Sequence, residues 1–241
     1  MAECAKIGIL VSSLYTMWSE LLDLFYPNLC AICTGHLSKS EEHVCFSCLF
    51  SLPKTNHFDI PDNALAKNLW GRVNVKQAAA LYEFKKGNPV QHLLHAIKYK
   101  GKDELGKFMG KQMGITAKSK LPLLPDVVTS VPLHPKKEVL RGYNQSHLLA
   151  LGVAEILGVA VSTGNLVRVS SHDSQTKKNR YERYINVQEK FKVINPLLFE
   201  NKHVWIVDDV FTTGATLEAC IQCLNACNNT STSAITLAFT L

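Results

Sequence analysis

The stretch Val204-Trp-Ile-Val-Asp-Asp-Val-Phe-Thr-Thr-Gly-Ala-Thr216 decides how this chain is read. Val204 to Val207 is a run of β-branched and aromatic residues, long enough for a strand and too short for a helix. Two carboxylates, Asp208 and Asp209, follow at its end. A Thr-Thr-Gly turn comes next, then an apolar-periodic segment (Leu217, Cys220, Ile221, Leu224) that predicts a helix. The backbone N–H groups of Thr212, Thr213, Gly214, Ala215 and Thr216 can cradle a phosphate at the start of that helix. Gly214 lets the main chain approach the ligand without a Cβ in the way. The carboxylates stand one step earlier, where they can accept hydrogen bonds from vicinal hydroxyls. A phosphate at one end and a diol at the other describe a ribose 5-phosphate. The stretch is not a Walker A loop, because G-x-x-x-x-G-K-[ST] is absent. The plain alternative is a strand–turn–helix with a solvated acidic pair, yet carboxylates at a strand's carboxyl end sit where open α/β sheets bind ligands.

At 241 residues the chain can hold one sizeable domain and a small appendage. With 46% hydrophobic and 19% charged residues, disordered and collagen-like classes drop out. No apolar stretch reaches the length of a membrane span. Ile7 to Leu14 is interrupted by Ser12 and Ser13 and lacks a small-x-small cleavage site, so it reads as part of an N-terminal helix (Leu10, Leu14, Met17, Leu21, Leu24). A cytoplasmic location and no membrane insertion are expected. The net charge of +6 is unevenly spread: residues 1–60 carry three Lys/Arg against six Asp/Glu, which leaves +9 for residues 61–241. Basic runs at 98–120 and 168–192 flank the phosphate site, where a cleft focuses positive potential on an anion. Pyrophosphate would justify them, and so would a nucleic-acid strand.

Cys30, Cys33, Cys45 and Cys48 form C-x2-C-x11-C-x2-C. Each C-x2-C turn can aim two thiolates at one centre, which predicts a closed, structural Zn²⁺ ribbon over residues 1–60. Disulfides and a rubredoxin-like iron site are the alternatives. Cys220, Cys223 and Cys227 lie along one side of the predicted helix and read as small hydrophobes.

Pro53, Asn56, Pro61 and Asn63 suit a linker, so the second domain is expected over 61–241. Strands are expected within 73–84 and at 127–131, 204–207 and 234–239. Helices are expected at 90–99, from Lys102 or Asp103 onward (apolar side Leu105, Phe108, Met109, Ile115) and at 144–157. This alternation means an α/β fold with a mostly parallel sheet flanked by helices.

Three further segments bear on function. Val131-Pro-Leu133-His134-Pro-Lys136-Lys137 ends a central strand and faces the same sheet edge as Asp208; its prolines stiffen it and its donors suit an anion. The lysines of Lys98-Tyr-Lys100-Gly-Lys102 can cap a helix C-terminus. The polar, basic segment from Gln175 through Arg180 and Arg183 to Val187 has the character of a mobile lid.

The signature at 204–216 resembles the PRPP motif of type I phosphoribosyltransferases: hydrophobic run, acidic pair, small residues, Gly and Thr. Nearly the whole chain resembles the ComF (ComFC) family of competence-associated phosphoribosyltransferase-like proteins. The residues that carry this are F-Y-P-N-L-C-A-I-C with the second C-x2-C, Y-K-G-K, V-P-L-H-P-K-K with R-G-Y-N-Q, Q-T-x-x-N-R-x-E-R-x-x-N-V, and the Asp-Asp-Val signature. Where the family has an Arg-rich spacer before R-G-Y-N-Q, this chain has Lys136-Lys-Glu-Val-Leu140. The resemblance implies a type I phosphoribosyltransferase fold with a zinc ribbon, PRPP binding with Mg²⁺, and a role in handling imported single-stranded DNA beside a DNA-uptake helicase or other competence proteins. Two function classes stay open: an enzyme passing phosphoribose to an unidentified nucleophile, and a module that binds PRPP or DNA without turnover. No general base stands out; Tyr143 and His134 are the nearest candidates, with Asn144 beside them.

Overall fold

The computed structural model describes residues 27–99, 103–169 and 190–240. The chain divides into two compact units, Met1–Ser51 and Leu52–Leu241. In the first unit the backbone turns tightly about the first cysteine pair, with Thr34 N donating to Cys30 O and Cys30 N to Gly35 O. A single antiparallel bridge joins Leu29 to His36, and α1 (Phe46–Ser51) starts directly after Cys45 and carries Cys48. Glu41 accepts from the N–H groups of Ser38 and Phe46, tying the intervening loop to the start of α1.

The second unit follows the chain as α2 (Ala64–Leu69), β1 (Ala78–Phe84), α3 (Pro89–Tyr99), α4 (Asp103–Lys120), β2 (Val127–Ser130), α5 (Pro135–Arg141), α6 (Gln145–Leu157), β3 (Ala160–Ser162), β4 (Leu166–Arg168), β5 (Phe191–Val193), β6 (His203–Phe211), α7 (Ala215–Asn225) and β7 (Ser231–Thr240). Five strands form one sheet in the order β1-β7-β6-β2-β3, and every pair is parallel. This is the α/β sheet expected of a type I phosphoribosyltransferase. The central strands β6 and β7 are buried along most of their length, as strands covered on both faces must be. Val204 and Ile206 share a core with Leu217, Ile221 and Phe199, while Trp205 is fully enclosed. β4 and β5 make a separate antiparallel pair.

Several expectations change. β6 does not stop at Val207: its ladder with β7 continues through Asp208, Val210 and Phe211, so the carboxylates lie inside the strand. The stretch 53–63 packs as part of the second unit, with Leu52, His57 and Phe58 buried and Asn63 capping α2. The proline-stiffened loop after β2 becomes a helix at Pro135, where His134 caps and proline occupies the first turn. On α4 the buried side uses Leu105, Met109 and Met113, while Phe108 is half-buried and Ile115 exposed. The expected N-terminal helix and the 175–187 segment lie outside the described residues.

Candidate functional site

The strand order places a switch point between β2 and β6. From β2 the chain moves outward to β3, and from β6 it moves the other way to β7. The loops beyond the two strands therefore leave on opposite sides and open a crevice at the carboxyl edge of the sheet. β2 pairs with β6 only as far as Ser130 and Val207, and Val131 N makes the last bond, to Val207 O. Asp208 is the first residue of β6 past that point. The segments 131–137 and 212–216 flank the crevice.

Both carboxylates are anchored from helices. Asp209 is 5% exposed and its Oδ2 lies 2.5 Å from Lys98 Nζ, in the last turn of α3, and 3.4 Å from Gln145 Nε2. Asp208 Oδ1 accepts from Ser146 Oγ at 2.8 Å and from Asp209 N at 2.9 Å. Each carboxylate keeps one oxygen without a protein donor among the described residues. Burial, and then the neighbouring Asp209 carboxylate, push Asp208 up to about 7. A carboxyl poised there can accept from a hydroxyl or hold a proton near neutral pH.

The phosphate loop follows directly. A small recess of about 60 Å³ is lined by Asp208 and by Val210 through Leu217. Gly214 is the N-cap of α7 at φ +77°, with no side-chain hydrogen bond to the helix start, so the first-turn N–H groups carry no side-chain cap. A Cβ at Gly214 would sit 2.6 Å from Phe211 Cζ, so both the left-handed backbone and the aromatic ring demand glycine there. Arg72 braces the loop from outside, donating to Thr213 O at 3.2 Å and pairing with Glu218.

The remaining candidates are placed as follows. Leu133, Tyr143 and Asn144 line a cleft of about 460 Å³ with Ser130 and His147. His134 Nδ1 accepts from Lys136 N as the cap of α5, and Lys136 itself is exposed. Tyr143 donates its hydroxyl to Ile97 O, and Asn144 caps α6 while its amide reaches Val131 O at 3.0 Å. The ring nitrogen of His134 and the hydroxyl of Tyr143 are thus engaged in holding backbone, and Asp208 is the better-placed proton acceptor. Lys98, which the sequence placed at a helix end, reaches past it to Asp209. Lys100, Arg180 and Arg183 lie outside the described residues. Ser146 and Arg72 escaped the sequence reading, and Gln145 entered it only as the last residue of R-G-Y-N-Q; the carboxylate partners of Ser146 and Gln145 are more than 60 residues away.

In the first unit the sulfurs of Cys30, Cys33, Cys45 and Cys48 all lie within 4.8 Å of one another, and Cys33 Sγ to Cys45 Sγ is 3.8 Å. A tetrahedral ion with bonds of about 2.3 Å separates its sulfurs by about 3.8 Å, so the donor set fits a metal such as zinc. The four thiols are not paired as disulfides. Backbone N–H groups of Ile32 and Cys45 point at Cys30 Sγ, and that of Cys48 at Cys45 Sγ, each at 3.4 Å. Burial opposes a charge on Cys30, but these hydrogen bonds outweigh it and bring its thiol down to about 6. Burial and the three other thiols push Cys48 up instead. The raised Cys45 and Cys48 thiols thus hold protons that a dication would displace. Among the described residues no other cluster of three or more ligand-type side chains is close enough to share an ion. On α7, burial raises Cys220, Cys223 and Cys227, as suits inert core thiols.

Three imidazoles, His57, His147 and His203, are held below their ordinary value by burial. The unfolded chain binds protons at these sites below about pH 6.5 more readily than the native state. Their contribution to stability is therefore present above that pH and lost as pH falls through the lower native values. Asp208 acts oppositely, contributing below its unfolded value and losing that as pH rises through about 7. Acidification from pH 7.5 to 5.5 should lower the melting temperature, and more so in Asp208→Asn, where the opposing group is gone. At this size each kcal/mol lost is worth about 2–4 °C. A melting temperature that holds constant in Asp208→Asn would contradict the neutral-histidine assignment.

No protein-family model matches the chain. It is 31% identical over 140 residues to the DNA utilization protein YhgH of Salmonella typhimurium, covering 56% of this chain and 61% of that protein's length. It is 27% identical over 196 residues to competence protein ComFC of Bacillus subtilis, covering 81% of this chain and 77% of the relative. With YhgH of Escherichia coli it shares 27% over 210 residues, 84% and 86% of the two chains. Among solved structures, the glutamine PRPP amidotransferase of B. subtilis aligns with TM-score 0.42 at 20% identity over 59% of this chain and 30% of that one. Adenine phosphoribosyltransferase from Thermoanaerobacter pseudethanolicus aligns with TM-score 0.37 at 18% identity over 65% and 76%. The fold assignment rests on the parallel sheet and its switch point, not on these partial overlaps. Among the described residues no helix is long and apolar enough to cross a membrane. Over most of its length, then, this chain is similar to competence protein ComFC and to the DNA utilization protein YhgH.

Proposed function

We propose that the chain binds PRPP in the crevice between β2 and β6 and uses it in the handling of single-stranded DNA. The observation that carries this is the anchored Asp208–Asp209 pair running directly into a glycine-capped loop at the start of α7. The 5-phosphate sits on the N–H groups of 212–216, and the ribose hydroxyls meet the two uncommitted carboxylate oxygens. Pyrophosphate lies toward Leu133, His134 and Lys136, with Mg²⁺ neutralising it and with Lys100, Arg180 and Arg183 as further cations. In the enzymatic form of this reading a nucleophile attacks C1′, the C1′–O bond breaks, and pyrophosphate leaves with the bonding pair. The nucleophile's proton passes to a base, for which Asp208 has a suitable affinity. The four-cysteine ribbon holds zinc and is structural. The names of the relatives, DNA utilization and competence, support the DNA setting, with imported single-stranded DNA or a DNA-uptake helicase as partner and the cytoplasm as the place.

Calorimetric titration of PRPP with magnesium tests the site. Asp208→Asn combined with Asp209→Asn should weaken binding by about 1.5–3 kcal/mol, the range for lost charge-assisted hydrogen bonds, or roughly 10- to 150-fold. Wild-type affinity in that double variant would remove the proposal. Mass spectrometry of products formed from PRPP in cell-extract metabolites then separates turnover from simple binding.

A further inference from the structure

At the amino edge of the sheet, where β6 begins at His203 and β7 at Ser231, a cleft of about 450 Å³ is bordered by residues from 74–76, 201–203 and 225–232. Five residues of β6, at about 3.3 Å each, put His203 roughly 17 Å from Asp208, and the phosphate loop shares no residue with this wall. Every side chain in the wall is polar, two are lysines (Lys76 and Lys202), and none is a carboxylate. Hydrogen bonds show that the three stretches adjoin. Asn225 Nδ2 donates to Asn74 O at 2.7 Å, and Asn225 Oδ1 accepts from Thr232 Oγ1 at 2.7 Å. Lys76 N donates to Thr232 O at 2.8 Å, and Asn229 Nδ2 to Asn201 Oδ1 at 2.9 Å.

Donors remain here that a ligand can reach. Lys76, Asn74 and Asn201 are exposed. Among the described residues Lys76 makes no ion pair, and the Asn74 amide and Asn201 Nδ2 make no hydrogen bond. Lys202 Nζ gives one proton to Leu198 O and keeps two. Burial holds the His203 imidazole below its ordinary value and the Lys76 ammonium adds to this, so that charge is felt at the cleft floor. Asp126 acts oppositely on His203, but its Oδ2 is taken by His203 N at 2.7 Å. The C-terminal end of α7, at Asn225, brings about half a negative charge. Two ammonium groups exceed that, so the cleft attracts anions. The carboxamides donate and accept, which suits hydroxyls. A nucleobase finds nothing to stack on, because the wall has no apolar side chain and the His203 ring is buried with both nitrogens engaged. A phosphate attached to a hydroxyl-bearing body meets all these conditions.

We propose that this cleft is a second ligand site, taking a sugar phosphate whose phosphate meets Lys76 and Lys202 and whose sugar oxygens meet the Asn74 and Asn201 amides. It is independent of the PRPP reading. The sugar phosphate can be a free one or the backbone of a single strand with its bases turned outward, and the two sources share this chemistry.

Titration of the full chain with inorganic phosphate, ribose 5-phosphate and a short oligothymidylate, followed by heteronuclear NMR, separates the two edges of the sheet residue by residue. Saturable shifts are expected at the amides of 74–76, 201–203 and 225–232, at lower concentration of ribose 5-phosphate or the oligomer than of inorganic phosphate. Lys76→Ala should weaken this binding by roughly fivefold, as for a charge-assisted contact at an exposed position. Asn74→Ala should reduce the advantage over inorganic phosphate. Both side chains are exposed, so both variants should fold. Shifts at 212–216 report the other site and should be the same in both variants. Saturation of the amino edge by ribose 5-phosphate identifies a free sugar phosphate, and saturation there by the oligomer alone identifies a strand. No shift at the amino edge with any probe at millimolar concentration overturns the proposal. So does binding there that is indifferent to Lys76→Ala, or inorganic phosphate binding as tightly as the other two probes. Shifts confined to 212–216 overturn it while leaving the PRPP reading in place, and shifts at the amino edge alone support it while counting against that reading.

Discussion

Protein purified without added metal should carry about one zinc per chain; chelation should unfold the cysteine unit outright, and in Cys45→Ser this unit should be the first to unfold. The reason is the poverty of its own core. Within its described part only Cys30, Ala31 and Val44 are buried, and α1 is six residues long with no buried position. A six-residue helix is marginal alone, and one bridge between Leu29 and His36 is not a sheet. Structural zinc in small modules supplies apparent free energies of about 10–16 kcal/mol, more than the rest of such a unit can. Hydrogen exchange should show the backbone amides of residues 28–50 losing protection on chelation, while the amides of β6 and β7 keep theirs. Persistent protection at 28–50 in protein shown by elemental analysis to be metal-free would sink the assignment. Serine at position 45 leaves three thiolates and a hydroxyl, so the variant should bind metal more weakly and lose it first as pH falls and the remaining thiols reprotonate.

How far the sequence reached follows from the range of the interactions involved. The 204–216 signature was legible because its parts are local: a short apolar run, an acidic pair, a turn glycine and a helical period. Its one misjudged boundary, the end of β6, is non-local. Asp208 and Val210 belong to the strand because β7 continues alongside them to Phe239, and no polarity pattern within β6 reports that. The helix at Pro135–Arg141 could have been read, since a cap at His134, proline in the first turn and left-handed Gly142 are start and stop signals. The two prolines drew attention to stiffness instead. β3, β4 and β5 are three residues each, too short for any period to register. The stretch 53–63 looked like a linker because its polar residues have distant partners: Thr55 bonds to the carbonyls of Leu81 and Ala80, and Asn63 to that of Ala78. The anchors of the carboxylates were hidden for the same reason, since Ser146 and Gln145 look like ordinary helix-start residues until α6 is docked on β6.

Adding one methyl group at Gly152 should destabilise the larger unit by about 3 kcal/mol or more, although glycine to alanine in a helix interior ordinarily gains up to about 1 kcal/mol. Gly106, Gly110 and Gly114 recur every fourth residue on one side of α4, and that side meets Leu148, Leu149, Gly152, Val153 and Ile156 of α6. A Cβ at Gly152 would lie 2.1 Å from Lys107 O and 2.7 Å from Lys111 N, and one at Gly110 would lie 2.2 Å from Leu149 O. These obstacles are backbone, so no rotamer change relieves them and the two helices must part. Their contact buries Met109, Met113, Leu149 and Val153, so separation also loosens the core. The consequence reaches the site, because the first turn of α6 holds Ser146 on Asp208 and Gln145 on Asp209. Urea denaturation of Gly152→Ala should therefore show a lowered midpoint with little change in slope, and PRPP affinity should fall in the fraction that remains folded. Ser119→Ala, at an exposed position on α4, gains propensity without a clash and should raise the midpoint slightly. If Gly152→Ala is stabilised as Ser119→Ala is, the α4–α6 packing is looser than this geometry requires. The support it gives the carboxylate pair would then have to come from Lys98 and the strand ladder alone.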